Sequence, residues 1–138
     1  MDINILLVDD EAVDLEWLRR RVANHEHLPL KDVGTAMSGF MALKIMEQKR
    51  IDVILSDIRM PIMSGMEFAR KAKEINPHVH IIFISGHQDF SYAKEAIMLN
   101  ASGYLLKPVD DSELYEMLIQ ICAKIEDERK VDISLSET

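Results

Sequence analysis

Asp52-Val53-Ile54-Leu55-Ser56-Asp57-Ile58-Arg59-Met60-Pro61 decides the fold of this chain. Val53, Ile54 and Leu55 form a short apolar run between polar neighbours, the pattern of a strand buried on both faces. Pro61 stops any regular continuation. The run therefore delivers one carboxylate, Asp57, to its C-terminal end, and in a parallel α/β sheet that end is where ligands bind. Asp57 stands at a reaction site, not in packing.

Similar runs recur outward from this one. Ile3 to Val8 reads as the first strand, with Asp9-Asp10-Glu11 opening a helix whose Leu15, Leu18 and Val22 form the buried stripe. Asp32 to Met37 reads as a second strand, and the helix from Gly39 turns Ala42, Leu43 and Met46 inward. After Asp57, Ser64-Gly65-Met66 opens a helix with Phe68, Ala69, Ala72 and Ile75 at core spacing, ended by Asn76-Pro77. Ile81 to Ile84 is a fourth strand, stopping at Ser85-Gly86. The next helix, Phe90 to Leu99, has only a thin inward stripe of Ala93, Ala96 and Ile97, so it is a candidate for movement. Gly103 to Leu106 makes a fifth strand, closed by Lys107-Pro108, and Asp110 with Glu113 resembles a capping box for a last helix carrying Leu114, Leu118, Ile121 and Ile125. Strict alternation of strand and helix predicts a parallel sheet with helices on both faces. From Glu126 the chain turns charged and mixed, which predicts one domain over 1–125 and a polar tail or the start of a linker over 126–138.

With 138 residues and 48% apolar content the chain is long and apolar enough for one full core. A net charge of −8 argues against direct nucleic-acid binding. No apolar run approaches membrane-spanning length, and acids follow the first strand too soon for a signal peptide. The single Cys122 excludes an internal disulfide, so a cytoplasmic setting is expected. His25/His27 and His78/His80 lack cysteines to complete a zinc set and read as surface residues. Arg19-Arg20-Arg21 reads as a solvated helix face. Val13 and Trp17 lie opposite the buried stripe of their helix; they either rest on a neighbouring element or form a docking patch.

Four strand ends carry polar residues after apolar runs: Asp9-Asp10, Asp57, Ser85 and Lys107. Any one strand-end Asp is often only a helix cap, but in one parallel sheet all four ends converge on one edge. Massed carboxylates repel and call for a cation, and hard oxygen ligands with room for water suit Mg2+. Lys107 offers a positive point charge and Ser85 a hydroxyl, the groups that hold an oxyanion. Together they describe a site that accepts a phosphoryl group, with Asp57 as nucleophile.

At these residues the chain resembles the response-regulator receiver domains of two-component signalling. The matching blocks are Leu7-Val8-Asp9-Asp10-Glu11, Ser56-Asp57-Ile58-Arg59-Met60-Pro61 with Gly65, Ile84-Ser85-Gly86, and Tyr104-Leu105-Leu106-Lys107-Pro108. The wording of Gly86 to Ala93 and of Leu105 to Val109 looks most like receivers joined to AraC-type DNA-binding domains. The resemblance implies a flavodoxin-like sheet of order 2-1-3-4-5. It implies that Asp57 takes a phosphoryl group from a sensor histidine kinase. Asp9, Asp10, Asp57 and the backbone carbonyl of Arg59 would hold Mg2+, and Lys107 and the Gly86 N–H would face the phosphoryl oxygens across a cis Lys107–Pro108 peptide. Ser85 and Tyr104 would form the switch that shifts the helix-four, strand-five, helix-five face. Arg59 and His87 would tune the lifetime of the phosphoryl group, and Val13 and Trp17 would dock the kinase. A homodimer on phosphorylation, and DNA contact only through an effector domain not in this chain, complete the expectation.

The competing chemistry is a Mg2+-dependent aspartate-nucleophile phosphohydrolase. That class places its acids two apart on the first strand and covers the substrate with a cap domain. Here the first-strand acids are adjacent and the lone Asp is on the third strand. A flavin carrier of the same fold is disfavoured by acids where its phosphate cradle needs hydroxyls and glycine.

Overall fold

A computed structural model describes residues 3–86 and 90–136. Strands and helices alternate as expected: β1 (Ile3–Val8), α1 (Ala12–Ala23), β2 (Leu30–Ala36), α2 (Gly39–Gln48), β3 (Val53–Asp57), α3 (Gly65–Ile75), β4 (His80–Ser85), α4 (Phe90–Met98), β5 (Gly103–Leu106) and α5 (Asp111–Ser136). The strands form one sheet of order β2-β1-β3-β4-β5, parallel at each pairing. This is the flavodoxin-like order.

Side-chain alternation divides the core in two. Leu6, Val8, Ile54, Ile81 and Phe83 meet α2, α3 and α4 through Ala42, Met46, Phe68, Ala69, Ala72 and Ala96. Ile5, Leu7, Val53, Leu55, Ile82 and Ile84 meet α1 and α5 through Leu15, Leu18, Val22, Leu114, Leu118, Ile121 and Ile125. β3 and β4 are buried along their whole length, which is why they lack the polar alternation of a one-sided strand. Each fully buried Ile, Leu or Phe contributes about 1.5–3 kcal/mol, so the central strands anchor the sheet. Ser38 and Ser64 cap α2 and α3, accepting from the N–H groups of Met41 and Glu67 at 3.1 and 3.2 Å. Asp110 caps α5 through the N–H of Ser112.

Four expectations change. The inward line of α4 is Tyr92, Ala96 and Leu99, at i, i+4 and i+7, which leaves Ile97 79% exposed. Ile75 lies exposed in the last turn of α3, where Asn76 turns inward and its amide donates to the Ile51 carbonyl. His80 is not a surface residue: it is buried between the Ser102 hydroxyl (2.9 Å) and the Glu128 carboxylate (3.4 Å). That last contact belongs to a further difference, since α5 continues to Ser136 instead of closing near Ile125. The extension is held at the N-terminal rim of the sheet, where Arg129 donates to the buried Asp52 at 3.1 Å. Asp52 also accepts from the Asn4 N–H (2.9 Å) and pairs with Arg50 (3.2 Å).

At the opposite rim, α3 begins against the backbone of β3. The Gly65 N–H donates to the Ile58 carbonyl at 2.8 Å, and a Cβ on Gly65 would fall on the carbonyl oxygen of Asp57. Gly65→Ala must therefore push α3 and the end of β3 apart. We expect it to destabilise the fold by about 1–3 kcal/mol, measured by urea denaturation; an unchanged midpoint would show that this contact is not tight.

Candidate functional site

Parallel pairing of β1 with β3 sets Val8 beside Ser56, so Asp9 and Asp57 leave the sheet together. The Asp9 N–H is held by the Ala36 carbonyl at 3.2 Å, and its Oδ1 accepts from the Glu11 N–H at 2.9 Å. The Ser56 hydroxyl donates to the Asp57 carbonyl at 2.9 Å. Both carboxylates are buried, Asp9 at 4% and Asp57 at 8% exposure, while Asp10 is half-buried. Oxygens of Asp9, Asp10 and Asp57 all lie within 4.8 Å of one another. Lys107 enters from the end of β5, whose next backbone N–H donates to the Ser85 carbonyl at 2.8 Å. Its Nζ lies 3.2 Å from Asp9 Oδ2, 3.2 Å from Asp14 Oδ2 and 3.7 Å from Asp57 Oδ1. The Lys107–Pro108 peptide is cis.

Burial raises the Asp57 carboxyl from the ordinary 3.8 to about 6, and the neighbouring Asp9 charge adds to the rise against the pull of Lys107. Burial disfavours the Lys107 ammonium, but Asp57, Asp9 and Asp14 outweigh it and hold its pKa above the ordinary value. A site with more acid than base favours a small divalent cation. Three hard carboxylate ligands, one of them half-exposed and so open to water, fit Mg2+.

Ser85 is buried at the end of β4, and Gly86 follows it beside the lysine stem. Tyr104 is half-buried and packs on the α2–α3–α4 side of the core; its hydroxyl is enclosed and has no hydrogen-bond partner among the described residues. Arg59 is exposed, and its Nε donates to the Tyr92 hydroxyl on α4 at 2.8 Å. Val13 is 82% and Trp17 38% exposed, so Val13 does not rest on a neighbouring element. Trp17 is flanked by the Arg21 guanidinium at 4.9 Å and lines a cleft of about 460 Å³ with Asp9, Asp14, Gly86, Lys107 and Val109. His87 lies outside the described residues. Two residues escaped the sequence reading, Asp14 on Lys107 and Tyr92 on Arg59; a one-turn spacing from Asp10 was the only signal for Asp14. Cys122 is buried on the inner face of α5, and burial pushes its thiol up to about 11, which leaves it without thiolate reactivity.

Comparison with known proteins agrees with this geometry. The family model described as the response regulator receiver domain matches residues 5–119. The transcriptional regulatory protein YesN of Bacillus subtilis is 33% identical over 121 residues, covering 88% of this chain and 33% of that protein. The transcriptional regulatory protein DegU of Brevibacillus brevis is 34% identical over 114 residues, covering 83% of this chain and 48% of its own. The chain thus spans half or less of the length of these relatives. Among solved structures, the receiver domain of AraT, a response regulator from Geobacillus stearothermophilus, superposes with a TM-score of 0.85 at 37% identity, covering 94% of this chain and 99% of that one. A two-component transcriptional regulator AraC from Clostridium phytofermentans gives a TM-score of 0.82 at 30% identity, covering 93% and 98%.

The raised Asp57 carboxyl fixes a pH dependence. The folded chain keeps this proton to about pH 6, whereas the unfolded chain loses it near 3.8, so stability falls as pH rises through that window. Asp57→Asn, neutral throughout, is expected to match the wild type near pH 4 and to be more stable at pH 7 by on the order of 3 kcal/mol. Mg2+ should narrow the gap by stabilising the wild type. Denaturation at the two pH values checks this; equal stability at pH 7 would contradict it.

Proposed function

The chain belongs to the response regulator receiver family, and we propose that it is a phosphorylation switch with Asp57 as the phosphoacceptor. The observation that carries this reading is the meeting of Asp9, Asp10 and Asp57 within 4.8 Å, with the Lys107 ammonium 3.7 Å from Asp57. Asp57 Oδ would attack the phosphorus of a phosphohistidine on a sensor histidine kinase; the P–N bond breaks and its electron pair stays on the imidazole. Asp9, Asp10, Asp57 and the backbone carbonyl of Arg59 would hold Mg2+, which when bound offsets charge on the transferring oxygens. Lys107 would pair with those oxygens, and the Gly86 N–H and the Ser85 hydroxyl would face them.

The output is binding, not turnover. α4 buries only Ala96 deeply among its described side chains, and polar contacts tie it to the rest: Arg59 to Tyr92 at 2.8 Å and Arg70 to Glu95 at 3.3 Å. The enclosed, unpartnered Tyr104 hydroxyl costs about 1–3 kcal/mol, which supports a side chain poised between two positions. Recruitment of Ser85 to the phosphoryl group would let Tyr104 and α4 settle together, changing the α4–β5–α5 face and favouring a homodimer. Trp17, which lines the cleft, and the exposed Val13 one turn before it supply the kinase contact. The relatives are transcriptional regulators, so DNA would be reached only through an effector domain not in this chain, in the AraC-type manner. No helix among the described residues is long and apolar enough to cross a membrane, consistent with a cytoplasmic switch.

Incubation with acetyl phosphate and Mg2+ tests this directly. Label should reach one phosphoryl group per chain, be absent from Asp57→Asn and fail without Mg2+; phosphate release far beyond one equivalent would instead make the protein a hydrolase. Trp17→Ala should still label from acetyl phosphate but lose transfer from the kinase, and normal kinase transfer would remove Trp17 from docking.

Arg59 and His87 are proposed to obstruct water approaching the phosphoryl group. Alanine at both should speed its loss, read as the decay of label after donor removal; an unchanged decay would end this role.

A further inference from the structure

Lys107 is shared by three carboxylates, and one of them has no part in the acidic trio. Asp14 stands in the first turn of α1, where a negative charge is favoured by the helix dipole. Its side chain does more than that. It reaches across the mouth of the cleft to accept from Lys107 Nζ at 3.2 Å, the same distance as Asp9. Asp57 Oδ1, at 3.7 Å, is within ion-pair range but beyond a hydrogen bond. The ammonium is therefore held between β1 and α1, and not on the nucleophile. The two holds differ in kind: the Asp9 side chain is 6% exposed, whereas that of Asp14 is 51% exposed. A half-solvated ion pair is weak and exchangeable. The Asp14 bond is the one that can be surrendered when a stronger anion forms at Asp57.

We propose that Asp14 is a positioning residue that competes for Lys107: it holds the ammonium off Asp57 in the unmodified protein and yields it to the phosphoryl oxygens once Asp57 is esterified. The inference rests on the phosphoacceptor reading above. It makes Asp14 a brake on phosphoryl uptake, because the lysine must leave this carboxylate before it can stabilise the incoming charge.

The test follows uptake from acetyl phosphate with Mg2+, in which an Asp57 oxygen bonds phosphorus as acetate departs, by intact mass. Asp14→Asn keeps the shape and removes the charge. It should accelerate uptake about twofold to fivefold, the factor an exposed pair of this kind is worth. Near 1 M salt, where the screening length is about 3 Å, the gain should shrink. Asp14→Glu, which retains the charge, should stay close to the wild type. Glu11→Gln removes an acid from the same end of α1 without touching Lys107, and should not accelerate uptake. Equal or slower uptake by Asp14→Asn, or equal acceleration by Glu11→Gln, overturns the competition while leaving the phosphoacceptor reading intact. A wild type that takes up no label overturns both.

Discussion

Repulsion among buried carboxylates is the constraint on which this structure depends. Two unit charges separated by 4.8 Å repel by about 3 kcal/mol even at an effective dielectric of ~20. The sheet enforces that proximity, because the β1–β3 register sends Asp9 and Asp57 off adjacent strands together. The carboxyls cannot separate without breaking backbone pairing that the two core halves hold in place. The strain is relieved chemically instead: by a proton on Asp57, by Lys107, or by a cation. Each route is reversible, and each changes what the others must supply. A phosphoryl group on Asp57 would redistribute the same charges.

Such a redistribution has mechanical consequences only where the fold is weak. Four helices bury broad apolar faces, but α4 contributes Ala96 and otherwise leans on the half-buried Tyr92 and Leu99. Its polar links run to α3, through Arg70 and Glu95, and to the loop after β3, where the Arg59–Tyr92 bond starts two residues from Asp57. Ion pairs and hydrogen bonds on an exposed face are worth about 1 kcal/mol or less, whereas an apolar stripe of several residues is worth many times that. The element that can move is therefore the one wired to the reaction site through side chains rather than through the core.

The fold was legible because it is written in burial. A strand enclosed on both faces has a continuous apolar run, and three such runs ending in Asp, Asp and Ser, with a shorter edge run ending in Lys, mark one edge of one sheet. Features that depend on partners distant in sequence were not legible. His80 looked like a surface residue because its partners, Ser102 and Glu128, come from a loop and a helix whose position the pattern does not give. α5 runs past Ile125 for the same reason: its charged segment has no helical apolar stripe, yet Arg129 meets Asp52 across 77 residues. Asp14 was hidden more simply. A helix-opening acid is expected from the dipole alone, and only coordinates show its carboxylate turned on Lys107.

The two ends of the sheet divide the work. Asp57 and Ser85 end β3 and β4 at the rim where charge collects; Asp52 precedes β3 and His80 begins β4 at the opposite rim. At about 3.3 Å per residue, the two rims of β3 are separated by some 17 Å of fully buried strand. A close-packed, fully buried strand joins the two rims as one stiff element. The α5 extension is clamped at that second rim by Arg129 and Glu128, while α5 as a whole packs beside α1 on the face of the sheet away from α4. The two ends of α5 thus answer to different groups: Asp110 caps its start beyond β5, and Asp52 and His80 hold its far end.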